Sequence, residues 1–432
     1  MQRLNYIFVL LCFSVLACAQ VQVYPLSEHI RTLRVLRECD LDESGQLRTA
    51  RPFLVLNDGR IDGTNPENTL EISFDEMSHD VHQYSYSVTH MSADWSQPSS
   101  ISSVEYLQGF STQDITDYQH SINTTREYTH YRFSFPNDEM VVTYSGNYLL
   151  SIYEDGNPDK RVAEVRFCVV EPMTTITADV RANTDIEFNG RYQQLDFDVS
   201  TTAINLKDPN EIKIAVRQNN RTDNQVWVTR PTFVEPRRLR YQNLKPLIFE
   251  GGNEYHHFDA FSTYYSGTGI DRMFYEMGDY HALLFLNQPA SGTYIHEYDN
   301  DGKYRVNAER TFDSDIESEY VWVHWTLPVD KPWLDGAVYV GGDIFSNELK
   351  LSNRMQYDAE AGCYWLTALV KQGGYDYQYW FKGKGTQNQT TTQRTDGSYW
   401  QTENEYSIYV YWRPFGARYD RLVGLQIQKS TL

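Results

Sequence analysis

The sequence of 432 residues predicts an all-β chain built from several sandwich domains. Three observations carry that prediction. The first is composition: 33 Tyr, 20 Phe and 9 Trp make the chain 14% aromatic, and aromatic and β-branched side chains fit a pleated, half-buried surface. The second is period-two alternation, as in Tyr84-Ser85-Tyr86-Ser87-Val88, Leu195-Asp196-Phe197-Asp198-Val199, Ile212-Lys213-Ile214-Ala215-Val216 and Tyr406-Ser407-Ile408-Tyr409-Val410-Tyr411, the signature of half-buried strands. The third is punctuation by turn residues at Asp155-Gly156-Asn157-Pro158, Asp208-Pro209-Asn210, Asp301-Gly302 and Asp396-Gly397. Short strands at that spacing describe β-sandwiches.

The elements follow in chain order. Met1 to Tyr6 carries one basic residue, Arg3, and an apolar stretch runs from Ile7 to Ala17 before Ala17-Cys18-Ala19 and Gln20. This is the pattern of a signal peptide over 1–19, with the mature N-terminus at Gln20 and an exported product. Val15-Leu16-Ala17-Cys18 also loosely fits a lipoprotein site, so an acyl anchor on Cys18 stands as the alternative. No later segment has the about 20 apolar residues that a membrane-spanning helix needs. A first β-sandwich is expected over 20–172, ending where Val169-Val170-Glu171-Pro172 runs a strand into proline. A middle β domain is expected over 173–315, ending at the acidic Asp313-Ser314-Asp315. The third, over 316–432, begins with Tyr320-Val321-Trp322-Val323-His324-Trp325 and holds seven of the nine tryptophans.

The formal charge is −20, and −21 once Arg3 leaves with the signal peptide. That balance excludes nucleic acid as the expected partner, because clustered Lys and Arg must neutralise phosphates. After cleavage three cysteines remain, Cys39, Cys168 and Cys363, too few and too scattered for a disulfide framework. Buried thiols are the leading reading, and one Cys39–Cys168 bridge stays open.

Signatures of catalysis are missing from the sequence. It contains no G-x-S-x-G, H-E-x-x-H, G-x-x-x-x-G-K-[ST] or C-x-x-C pattern, so no catalytic, cofactor or metal residue is assigned. Paired glycosidase carboxylates are undecided by this test, given 58 acidic residues. Three constellations are weighed and read as structural. His256-His257 with Asp259 holds metal-ligating types, but neighbouring side chains on a strand point to opposite faces. Asp299-Asn300-Asp301-Gly302 starts like a calcium loop but lacks the glutamate at position twelve, and reads as a tight hairpin turn between strand-like Tyr294 to Tyr298 and Tyr304 to Val306. His90, Asp94 and Trp95 read as a strand end with a packing tryptophan and a turn aspartate.

In the third domain, Val338 to Phe345, Met355, Tyr357, Gly362-Cys363-Tyr364-Trp365 and Gly373 to Phe381 resemble the early-set immunoglobulin-like sandwiches related to glycogen-binding modules. Trp365, Trp380 and Trp400 are therefore weighed as a glycan-stacking platform. Alternation within Tyr375 to Phe381 instead turns one aromatic set inward, and core or interface roles lead. A fold shared with sugar binders is analogy only.

A wider resemblance spans the mature chain. Leu70 to Asp75, Tyr84 to His90, Ala93-Asp94-Trp95, Glu105 to Phe110, Asp117-Tyr118, Ser121, Asn123-Thr124, Tyr128, His130-Tyr131 and Ser145 to Leu150 look like the first domain of the type IX secretion plug family. Gly251 to Tyr255, Phe258-Asp259, Lys371 to Tyr379, Thr402 to Tyr406 and Tyr419-Asp420 continue the resemblance in order. The chain departs from the family pattern at Met91-Ser92, where cysteine and asparagine usually follow the histidine. The resemblance implies a non-enzymatic periplasmic protein without cofactor, nucleic acid or small-molecule substrate. Its implied partner is the outer-membrane translocon barrel, through which it is membrane-associated and whose periplasmic opening it closes when no cargo complex is engaged. An exported glycan-binding protein of the envelope is the alternative. The partner-contacting residues are left unassigned.

Overall fold

The computed structural model describes residues 22–37, 53–289, 292–385 and 389–430. Strands make up 48% and helices 6%, so the expected multi-domain all-β architecture is the observed one. The signal peptide over 1–19, the lipid site at Cys18, the N-terminus at Gln20 and the thiol of Cys39 lie outside the described residues.

Residues 22–37 and 53–170 form the first sandwich. One sheet runs in the order Gln22–Pro25, Arg161–Val170, Gly146–Glu154, Tyr84–Met91, Thr112–Ile115, with Phe53–Val55 parallel to Arg161–Val170. The facing sheet is Ile30–Leu36, Leu70–Glu76, Thr129–Phe135, Asp117–His120. Alternation sends Ile72, Phe74, Tyr84, Tyr86, Tyr131 and Tyr148 inward. Tyr84 meets both Phe74 and Tyr131 edge to face, at 5.3 and 4.9 Å, the geometry that ring quadrupoles favour.

The middle sandwich is discontinuous. Its first sheet comes from Thr175–Arg181, Tyr192–Ser200, Arg238–Tyr241 and Phe233–Glu235, with Ile248–Glu250 also on Tyr192–Ser200. Its second sheet pairs Val226–Val228 and Ile212–Gln218 with the last two strands of the chain, Glu405–Trp412 and Arg421–Lys429. Ile214 faces Val410 and Gln218 faces Tyr406.

The third sandwich is inserted between these parts. His256–Asp259 and Tyr304–Val306 pair with Gly373–Gly383, as does Gly336–Gly341. The opposing sheet is Ile270–Glu276, Asp279–Leu284, Tyr320–Pro328, Cys363–Lys371, Gln356–Asp358. These sheets cut across the expected division at 315/316: the strands before it share sheets with the strands after it, and the C-terminal pair belongs to the middle sandwich. The acidic segment at that expected boundary is the start of a short helix, Ser314–Glu317, whose cap Asp313 accepts the Asp315 N–H at 2.9 Å and whose Ile316 is buried.

Two local expectations also change. Tyr294 to Tyr298 is not a strand, so Asp301-Gly302 is a turn entering Tyr304–Val306 rather than the bend of a hairpin. Residues Gly373 to Phe381 are buried on both faces, not on one. Phe258 and Trp325 cover Tyr375 and Tyr377 on one side, while Arg221 of the middle sandwich stacks on Trp380 at 4.3 Å on the other.

Candidate functional site: the interdomain junctions

The first and third sandwiches meet through charge. In the first, Asp75 and His130 are cross-strand neighbours on the outer face of a sheet, with Phe74 and Tyr131 turned into the core. In the third, Tyr320 and Lys371 are cross-strand neighbours at the sheet end. Register alone thus places each pair side by side. When the sheets meet, Asp75 Oδ2 accepts from Lys371 Nζ at 2.6 Å and from Tyr320 Oη at 2.7 Å, and Asp75 Oδ1 contacts His130 Nδ1 at 2.6 Å. The Lys371 and Asp75 side chains are both wholly removed from solvent. Lys371 also donates to the Asp315 carbonyl at 2.6 Å and lies 4.2 Å from the Tyr128 ring centroid, while Arg34 pairs with the Asp315 carboxylate at 2.5 Å.

Burial by itself would raise the Asp75 carboxyl, but the Lys371 charge and the His130 contact outweigh it and hold Asp75 below the usual carboxylate range. Asp315 is held low in the same way, chiefly by Arg34 and then His130 against burial. Burial pulls Lys371 below the ordinary lysine value, with Asp75 opposing. Three donors converging on Asp75 favour its ionised form. At the margin of this junction Arg126 grips Asp279 with two hydrogen bonds, of 2.8 and 2.7 Å, and Trp322 Nε1 donates to the same carboxylate at 3.1 Å.

The first and middle sandwiches meet differently. Ala93, Cys168 and Val170 pack on Ala215, Tyr409, Tyr411, Leu422 and Ile427. Polar contacts here include Asn147, whose Oδ1 accepts from Tyr411 Oη at 2.8 Å and from the Cys168 thiol at 3.3 Å and whose Nδ2 donates to the carbonyls of Ser92 and Ala93 at 3.0 Å each. They also include Asp420, which accepts the Ala93 N–H at 3.2 Å, and the marginal ion pair of Arg418 with Glu105. Burial pushes Cys168 up to about 12, an inert free thiol.

The residues weighed from sequence lie elsewhere. His256 Nε2 contacts Asp396 at 2.9 Å, whereas His257 contacts Asp376 at 2.6 Å and Asp259 at 2.9 Å, so the two rings have separate partners. Among the described residues no three His, Cys, Asp or Glu side chains converge as metal ligands. Asp299 accepts the Asp301 N–H at 2.9 Å, closing its turn, and burial, then the Asp376 and Asp301 charges, raise its carboxyl to about 8. His90 is buried against Tyr148 and Tyr419 and bonded to Ser99 at 2.7 Å. Asp94 closes a turn by accepting from Ser92 and Ser96, each at 2.7 Å. Trp365 is 39% exposed but Trp380 is at 0%, so these tryptophans do not make an open glycan platform.

Sequence reasoning missed the charged junction. Asp75, His130 and Lys371 all stood in the segments that carried the family resemblance, but without a role. The signal was a charged residue within or ending an apolar strand, which local pattern alone reads as solvent-facing.

Residues 60–171 match the model of the type 9 secretion system plug protein first domain. The whole chain is similar to a hypothetical protein from Parabacteroides merdae of known crystal structure, at 35% identity and a TM-score of 0.87, covering 95% of this chain and 100% of that one. The BSP domain of a biofilm-associated protein aligns at 8% identity with a TM-score of 0.17, covering 99% of this chain and 62% of that one, which is no basis for argument. No curated protein matches the chain. The Asp75–His130 and Ala93–Cys168 halves of both junctions fall inside the matched segment, and the chain carries at residues 60–171 the first domain of the type IX secretion system plug protein family.

Proposed function

We propose that this chain is a periplasmic stopper that binds the periplasmic mouth of the outer-membrane translocon barrel and closes it when no cargo complex is engaged. A water-filled barrel wide enough for folded cargo leaks solutes unless something occupies it, and a stopper needs stiffness. The observation that carries this reading beyond the family match is the fully buried Lys371–Asp75 pair, which ties the first sandwich to the third. Lys371, Tyr320 and Arg34 all donate to the Asp75 and Asp315 groups at this junction, so several charge-assisted hydrogen bonds must be released together before the two sandwiches separate. Tyrosine suits the work of docking, offering large contact area with few rotors to freeze and a hydroxyl for a wet rim. The reading contains no catalytic step.

Deletion tests it. Cells lacking the chain should still secrete cargo while admitting large antibiotics or dyes, and deleting the translocon as well should restore the barrier. Normal permeability in the single deletion, with the translocon assembled, would overturn the assignment.

A further inference from the structure

The first sandwich is open along one side. There the chain leaves the edge strand of one sheet, Thr112–Ile115, and enters the edge strand of the other, Asp117–His120, through Thr116 alone. Among the described residues no strand pairs with the outer edge of either, and Asp117–His120 is exposed along its length. Edge strands left in this state are templates for another chain.

A cleft of about 830 Å³ sits at this opening. Its floor is the half-buried ring of Phe133, backed by the buried Tyr86 stacked on it at 4.4 Å. The polar atoms there satisfy one another, since Asn137 Nδ2 donates to Tyr86 Oη at 3.0 Å and to Gln113 Oε1 at 2.9 Å. Phe110 stands on the lip, 59% exposed. Four carboxylates line the cleft, those of Glu71, Asp114, Asp117 and Glu139, against one guanidinium, Arg132. That guanidinium is already held by Asp117 at 2.8 Å. Carboxylates in this excess repel an anionic ligand. The wide mouth and self-satisfied floor offer a small metabolite little, because such ligands bind where most of their surface is buried and a few polar groups converge. An apolar floor, a carboxylate rim and free strand edges instead fit an extended peptide carrying cationic side chains.

We propose that this cleft docks an extended, lysine- or arginine-bearing segment of the translocon barrel, with an apolar side chain on the Phe133 floor and its cations among the four carboxylates. The proposal rests on the plug reading and names the contact that reading leaves open. The floor supplies the anchor and the rim charges supply encounter rate and register.

The test uses the full chain in cells with the native translocon, with p-benzoylphenylalanine installed at Thr112 in the cleft or, as a control, at Phe233 on the exposed edge of the middle sandwich. Illumination should join the barrel to the Thr112 position and not to Phe233, and the joined peptide should contain Lys or Arg beside an apolar residue. The double substitution Asp114→Lys/Glu139→Lys, at two exposed positions, should lower recovery of the barrel with the purified chain by about tenfold, with unchanged thermal unfolding. Undiminished recovery with the reversed charges, or an adduct mapping to an acidic segment, overturns the cleft and leaves the plug reading standing. Failure of the unsubstituted chain to recover the barrel overturns both.

Discussion

The first sandwich is joined to its two neighbours by opposite chemistry. Toward the third it offers Asp75 and His130 to a buried ammonium and a phenol; toward the middle one it offers Ala93, Cys168 and Val170 to tyrosine and leucine. A charged junction is all-or-none, because taking away either partner strands the other in a low dielectric. Its apolar counterpart is graded, since each side chain adds its own buried area and the Arg418–Glu105 ion pair at its margin is open to solvent. One protein thus contains a brittle seam and a forgiving one.

The largest expected effect comes from breaking the brittle seam. Lys371→Met should lower unfolding free energy by about 3–5 kcal/mol, read by chemical denaturation, and Lys371→Met/Asp75→Leu should recover much of it because no charge is then stranded. A double variant that sums the two single losses would erase the distinction. At the graded seam, Leu422→Ala, at 0% exposure, should cost about 3 kcal/mol through lost burial and the cavity left behind, with no second substitution of opposite charge able to rescue it.

Acid should separate the seams by pH. His90 lies beside the apolar one, and burial, against the Ser145 carbonyl and the Asp420 charge, lowers its pKa from 6.5 to about 4. The unfolded chain takes up a proton near 6.5 that the folded chain refuses until about 4. The contribution is therefore complete above 6.5 and lost as pH falls to about 4, amounting to about 3 kcal/mol. Asp75 and Asp315, held low, contribute stability that is complete above the ordinary carboxylate range and lost only at lower pH. The difference in unfolding free energy between the unsubstituted chain and His90→Gln should change by about 3 kcal/mol between pH 6.5 and 4 and level off below it, because the opposing slope from Asp299, raised to about 8, is common to both. The smallest effect belongs to the margin of the charged seam: Arg126→Ala, with the guanidinium 34% exposed, should cost about 1 kcal/mol, because solvent screens that pair.

The sequence alone determined that this chain is all β, where many of its strands lie and which residues punctuate them. Alternation in Tyr84 to Val88 and Ile212 to Val216 is a local consequence of side chains pointing to opposite faces, so it is readable without knowing the partner strand. Tertiary structure decided the pairing. Ile212–Gln218 bonds to Glu405–Trp412 rather than to a nearer strand, because a period of two says which face is buried and nothing about which edge is filled. The same limit hid the charged seam. Asp75, His130 and Lys371 look like solvent-facing positions until a second sheet covers them, and only that covering turns three ordinary surface charges into a buried cluster.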